Sequence, residues 1–213
     1  MVFSTIGNLS ERSVEKLALR YFGDFPATTR GFERSVPHPC APFEHQVTKH
    51  THQLHCIVGC RAYGIDDPRR LPLALVTNIL GGPSANSLLN VSLRERHGLS
   101  YNIEASYTPY GDCGIVAIYF SSDHANADRC LELLDAEIGR LRRTPLSGRR
   151  LSMAKKQFVA QLAISMESNE GYMLGAGKSF LTHDDVDTME QVYAKIEALT
   201  ASQLTETAEE IFA

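Results

Sequence analysis

The chain has 213 residues, of which 43% are hydrophobic and 22% charged, and a formal charge of −4, enough apolar material for one large folded domain or two small ones. The mild net acidity and the lack of a long run of like charge exclude nucleic acid and anionic membranes on electrostatic grounds. No stretch approaches the roughly 20 apolar residues that a bilayer span needs, so no membrane partner is expected.

Five cysteines (Cys40, Cys56, Cys60, Cys113 and Cys130) form an odd set without a Cys-x-x-Cys pair, which argues against a disulfide framework and a cysteine zinc site. Free thiols in a reducing compartment fit best, and with no basic leader or signal-type apolar run at the N-terminus the expected location is cytoplasmic.

In chain order, "VFSTIG" (2–7) reads as a short β-prone run. "NLSERSVEKLALRYFG" follows as a capped helix, with Ser10 as N-cap, Val14, Leu17 and Tyr21 at helical spacing, and Gly23 as the stop. Residues 26–44 hold four of the nine prolines and no apolar periodicity, the mark of an extended linker. A strand is expected over about 47–60, then a helix capped by Asp67 with Pro68 at its first position, ending at the Leu-Gly-Gly of 80–82. A second helix, about 86–97, stops at Gly98.

Two strands come next, about 101–109 and 113–121, joined as a hairpin through Tyr110, Gly111 and Asp112. Ile103, Ala105 and Tyr107 alternate with Asn102, Glu104 and Ser106, as in a half-exposed antiparallel strand. Leu131, Leu134, Ile138 and Leu141 mark a helix over about 125–142, and Pro145 separates it from another over about 148–168. "TASQ" at 200–203 has the form of a capping box opening the last helix. Strands near the front and helices behind predict an α+β fold, an antiparallel sheet with helices packed on one face.

Chemistry is harder to find. "HTHQLH" at 50–55 places His50 and His52 on one face of the expected strand and His55 on the other, which leaves two ligands where zinc needs three or four. An independent metal-binding module built on that pair is one reading, and an ordinary edge strand is the other. The chain has no His-Glu-x-x-His or His-x-x-Glu-His, no nucleophile elbow, no Walker loop and no dinucleotide fingerprint. What remains is "SLRERHGLSY" (92–101). Cations in the last turn before a glycine stop serve a helix dipole. Yet the chain reversal at Gly98 also brings the Arg94 guanidinium and the Tyr101 phenol toward one sheet edge, a pairing suited to a peptide carbonyl or an oxyanion.

The longer stretch "LGGPSANSLLNVSLRERHGLSYNIEASY" (80–107) resembles the non-zinc halves of the pitrilysin/insulinase and mitochondrial-processing-peptidase family. There a Leu-Gly-Gly turn leads through a helix to Leu-Arg-Glu-x-x-Gly-Leu-x-Tyr. The resemblance implies that residues 1–25 are the strand-helix end of an upstream zinc-bearing domain, 26–44 the linker, and 45–213 the non-zinc peptidase domain. It implies that Arg94 and Tyr101 serve peptide hydrolysis, and that Gly81, Gly82 and Asn86 contact substrate. Where many relatives carry an arginine after the turn, this sequence has Ser87 and Leu88.

The resemblance places zinc in a missing N-terminal half or a partner subunit, with no cofactor or metal in this chain. A bacterial zinc metalloendopeptidase half, inactive alone, is therefore expected, with a peptide substrate, a zinc-bearing half or homologous subunit as partner, and self-association. The alternative is a non-catalytic structural subunit of the same fold. Val2–Ile6 is further expected to pair with a sheet edge of the 45–213 domain.

Overall fold

Two compact units emerge from the computed structural model, which describes residues 1–26, 31, 35, 37, 38 and 41–213. One comprises Met1–Val36 with Ala160–Val192, the other Pro37–Val159 with Tyr193–Ala213. Residues 27–30, 32–34, 36, 39 and 40 of the segment expected to be a linker, 26–44, lie outside the described residues.

The larger unit is built on a three-stranded antiparallel sheet, ordered β1-β3-β2, of β1 (Leu54–Ala62), β2 (Ser100–Pro109) and β3 (Gly114–Ser122). The β2–β3 hairpin closes where the Tyr110 amide donates to the Cys113 carbonyl at 2.7 Å. Alternation sorts the faces as the sequence predicts. Ile103 and Ala105 of β2 and Val116, Ile118 and Phe120 of β3 point inward and are buried, while Asn102, Glu104 and Ser106 lie exposed on the other side.

Helices α2 (Arg70–Gly81), α3 (Ala127–Arg143) and α7 (Ala201–Ile211) cover the inner face. Leu75, Leu80, Leu89, Leu93, Phe120 and Leu134 interlock there with essentially no solvent contact. At about 25 cal/mol per Å² of apolar area, each such side chain contributes roughly 1.5–3 kcal/mol to folding. The α+β arrangement with helices on one face is therefore the observed one.

A polar clamp fastens α7 to the loop before α2. The Arg69 guanidinium donates to both carboxylate oxygens of Glu210 at 2.8 Å and to Asp67 at 2.8 and 3.0 Å. It also lies 4.2 Å over the Tyr63 ring, whose hydroxyl donates to Glu210 at 2.8 Å. Burial and that bond push the Tyr63 phenol up to about 12. The hydrogen bond from Arg69 holds the Asp67 carboxyl below its ordinary value. Thr200 and Gln203 form the expected capping box at the start of α7.

The smaller unit carries α1 (Glu11–Phe22), α5 (Asn169–His183), the end of α4 (Gly148–Glu167) and the start of α6 (Met189–Glu197). Ser10 caps α1, its side chain accepting from the Ser13 amide. Phe3, Phe22 and Phe25 pack in series at 5.5 Å centroid spacings, the first pair tilted and the second edge to face.

Three expectations need correction. Val2–Ile6 forms no strand and pairs with no sheet. The Ser4 hydroxyl instead donates to the Met173 carbonyl of α5 at 2.9 Å, and Ser4 lies close against Gly177. The strand expected over 47–60 begins only at Leu54. A local turn, with the Thr51 amide on Lys49 O at 2.9 Å and its hydroxyl on Gln53 O at 3.0 Å, breaks the extended chain. His50 and His52 therefore lie ahead of β1 and not side by side on a strand face. Asp67 accepts from the Arg69 amide at 2.8 Å but does not cap α2, which starts only at Arg70 with Arg69 at its N-cap and no side-chain capping bond, so Pro68 lies ahead of the helix.

Candidate functional site

The turn after α2 is held by close approach and by amide side chains. A Cβ on Gly81 would sit 2.8 Å from that of Ala105 and 3.3 Å from Leu89 Cδ1, so only glycine lets the end of α2 press onto β2. On Gly82 it would meet the Asn78 carbonyl at 2.6 Å. Packing alone thus demands both glycines. Asn86, exposed beyond them, donates to Gln157 Oε1 of α4 at 2.9 Å, and buried Asn90 donates to Ser87 Oγ at 2.8 Å.

From Asn90 to Arg96 the chain is wound as a π-helix, a form that concentrates at functional sites. It ends at Gly98 with φ +61°, the left-handed conformation glycine adopts without strain. The Leu99 amide donates to Leu93 O at 2.8 Å and the Gly98 amide to Arg94 O at 3.0 Å. This is a Schellman-like closure whose outer bond spans one residue more than in an α-helix. His97 Nδ1 donates to the Ser92 carbonyl at 2.7 Å. Because a carbonyl only accepts, the proton is on Nδ1.

Immediately after the closure, β2 opens with a bulge. Ser100 faces Ser122 and Asn102 faces Ser121, which leaves Tyr101 as the extra residue. Ser100 and Ile103 can then both point into the core while Tyr101 turns outward. It is 78% exposed.

Arg94 is likewise half exposed, and its ion pair is with Glu95 next door, Nε to Oε1 at 3.7 Å. Such a surface pair contributes at most about 1 kcal/mol and leaves the guanidinium available. Among the described residues no hydrogen bond joins Arg94 to Tyr101. On the same open face of the sheet, His55 Nδ1 hydrogen-bonds the Tyr119 hydroxyl at 2.7 Å, and Glu104 lies opposite Tyr119 in register.

Chemically this surface presents hydrogen-bond donors, a phenol and a guanidinium, beside a sheet whose outer strands β1 and β2 each pair on one side only among the described residues. It can bind and polarise a carbonyl. Among the described residues no three His, Cys, Asp or Glu side chains cluster in a way that could hold zinc. The sequence reading missed Ser100, Ser122 and the His55–Tyr119 pair. Nothing local marks the first two, because they face each other across a bulge that exists only once β2 and β3 are aligned.

Comparison with known proteins gives the family and the fold. Residues 1–158 match the family profile described as "Peptidase M16 inactive domain". A curated relative from Bacillus subtilis (strain 168), the "Uncharacterized zinc protease YmxG", is 25% identical over 216 aligned residues, covering 100% of this chain and 51% of its own. Among solved structures, a protease from Helicobacter pylori superposes with a TM-score of 0.78 at 16% identity, covering 98% of this chain and 51% of that one. A chain of complex III2 from Candida albicans superposes with a TM-score of 0.69 at 14% identity, covering 77% of this chain and 41% of that one. These likenesses to solved structures show the fold. The chain spans about half the length of the first of these relatives.

Proposed function

Because the chain belongs to the peptidase M16 inactive-domain family, we propose that it is the substrate-binding, zinc-free half of a zinc metalloendopeptidase, with Arg94 and Tyr101 supplied to the peptide being cut. The observation that carries this reading is the paired presentation of those side chains. A π-wound helix, a left-handed glycine and a bulge in succession turn both to solvent at the head of β2. A fold that needed them only for packing would have buried them.

In this reading the zinc-bearing half, on the same polypeptide or on a partner subunit, polarises the scissile carbonyl and activates water. This chain closes over the peptide from the other side. Arg94 holds a substrate carbonyl or carboxylate through its planar fork, and the Tyr101 hydroxyl donates toward the oxygen on which charge develops. The turn of Gly81, Gly82 and Asn86 stands close by in sequence to guide the chain. Residues 1–25, with a helix but no sheet of their own, serve as the end of the zinc-bearing domain. Four described cysteines are free thiols, in keeping with a cytoplasmic location.

The test is reconstitution of this chain with a zinc-bearing half. Tyr101→Phe should lower kcat about 100-fold with little change in KM, because the phenol donates chiefly in the transition state. Arg94→Ala should also raise KM. A Tyr101→Phe enzyme within twofold of wild type would overturn the assignment. A second reading, a structural subunit without chemistry, is favoured by the likeness to the complex III chain. It would be supported by an assembled particle that binds no zinc and cuts no peptide.

A further inference from the structure

Ser100 and Ser122 stand directly opposite one another at the bulge, both almost wholly buried beneath Tyr101. The Ser100 hydroxyl donates to the Ser121 carbonyl at 2.6 Å, with a longer contact of 3.2 Å to the Asn102 carbonyl. The Ser122 hydroxyl donates to the Leu99 carbonyl at 2.6 Å and lies 3.5 Å from the Cys130 thiol. A bulge disrupts the regular ladder and leaves main-chain groups to be satisfied by other means. A buried carbonyl without a donor is costly. Here two side-chain hydroxyls supply donors to carbonyls flanking Tyr101 on both sides, and on the facing strand. Apolar residues could fill the same volume but could not hold the backbone in this irregular path.

We propose that Ser100 and Ser122 are positioning residues for Tyr101, their hydroxyls locking the bulge that aims its phenol at the substrate. The inference rests on the assignment of Tyr101 to the reaction and deepens it. Ser100 acts through its bond to the facing strand, Ser122 through its bond to the residue after the glycine stop. Together they tie the π-helix closure, which carries Arg94, to the strand that carries Tyr101. Neither serine touches substrate. A misplacement of about 1 Å at a reacting group can cost up to about 100-fold in rate, so the lock has kinetic consequences well beyond its effect on folding.

The experiment is a double-mutant cycle in the enzyme reconstituted from this chain and a zinc-bearing half. Ser100→Ala and Ser122→Ala should each lower kcat about tenfold at nearly unchanged KM. In a Tyr101→Phe background neither should lower it further, because the group they aim is already absent. Ser100→Thr, which keeps the hydroxyl, should restore most of the rate.

A second readout needs no activity. In this chain alone, amide exchange around residues 99–102 should quicken at least tenfold in Ser100→Ala while the β1–β3 ladder stays protected. Loss of protection throughout the sheet would show a general folding defect and overturn the positioning role for that variant, leaving Ser122→Ala to carry the same test. If Tyr101→Phe lowers kcat but the serine variants leave it within twofold, or reduce it equally with and without the phenol, the inference is wrong. If Tyr101→Phe itself is silent, the functional assignment fails first.

Discussion

The two units carry similar apolar residues and use them differently. In the larger one, Leu73, Leu75, Leu80, Leu89, Leu93 and Phe120 reach full burial. In the smaller one, no described residue is buried, although it holds Phe3, Leu17, Leu19, Phe22, Phe25, Ile164, Leu174, Phe180 and Leu181. What separates them is closure. The larger unit has a sheet for its helices to cover. The smaller one has helices and an extended N-terminal segment with no sheet among its described residues, so each amphipathic stripe has little to lie against. Exposed apolar surface on this scale is a common feature of association surfaces, and sedimentation tests whether it acts as one here.

The largest effect that would break this contrast is a matched pair of truncations. Phe120→Ala should destabilise the larger unit by about 3–5 kcal/mol, the range for a fully buried aromatic. Phe180→Ala, at a side chain 47% exposed, should change stability by less than about 1 kcal/mol. Urea denaturation followed by circular dichroism measures both. Equal losses would mean that the smaller unit has a core after all. The same contrast predicts concentration-dependent sedimentation, and a monomer at high micromolar concentration would count against the smaller unit as an association surface.

A middle-sized effect concerns the clamp on α7. Arg69→Ala removes the donor shared by Asp67 and Glu210 together with the cation over Tyr63, and should cost the larger unit about 1–2 kcal/mol. The pH dependence has a definite sign. Asp67 is held below its ordinary 3.8, so its contribution is present above that value and disappears as the pH falls through the lower folded-state one. Tyr63 is pushed up to about 12 from 10.0, so its contribution is present below 10.0 and lost as the pH rises through about 12. The melting temperature of the wild type should fall at both ends, and Arg69→Ala should flatten the acid limb. An unchanged acid limb would show that Asp67 does not depend on Arg69.

Local signals carried most of the larger unit's fold. Inward Ile103 and Ala105, the Gly98 stop and the Thr200–Gln203 box each report on a few neighbouring residues, and each was legible in the sequence. The Arg69–Glu210 clamp was not legible, because its partners lie 141 positions apart and nothing local marks them. Val2–Ile6 misled for the opposite reason. Its β-prone composition is real, but a strand exists only where an edge accepts it, and here Ser4 settles on α5. At the site, the Arg94 and Tyr101 pattern was visible while its support was not. A bulge is a relation between two strands, so Ser100 and Ser122 acquire meaning only once β2 and β3 are aligned.

The smallest effect gives the finest test of the contrast, because it places the same chemistry in both units. Ser10 caps α1 and Thr200 caps α7, each through a hydroxyl that accepts from the amide three residues on. Replacing either by alanine strips one helical N–H of its partner, a loss of about 1 kcal/mol to the helix concerned. In α7 that helix is part of the core, with Leu204 and Ala208 buried, so Thr200→Ala should lower the global melting temperature by a few degrees. In α1 no residue is buried, and fraying is not coupled to the main transition. Ser10→Ala should therefore leave the melting temperature in place and appear only as faster amide exchange in the first turn of α1. If it lowers the global transition as much as Thr200→Ala does, the two units unfold as one, and the division drawn from burial does not extend to their energetics.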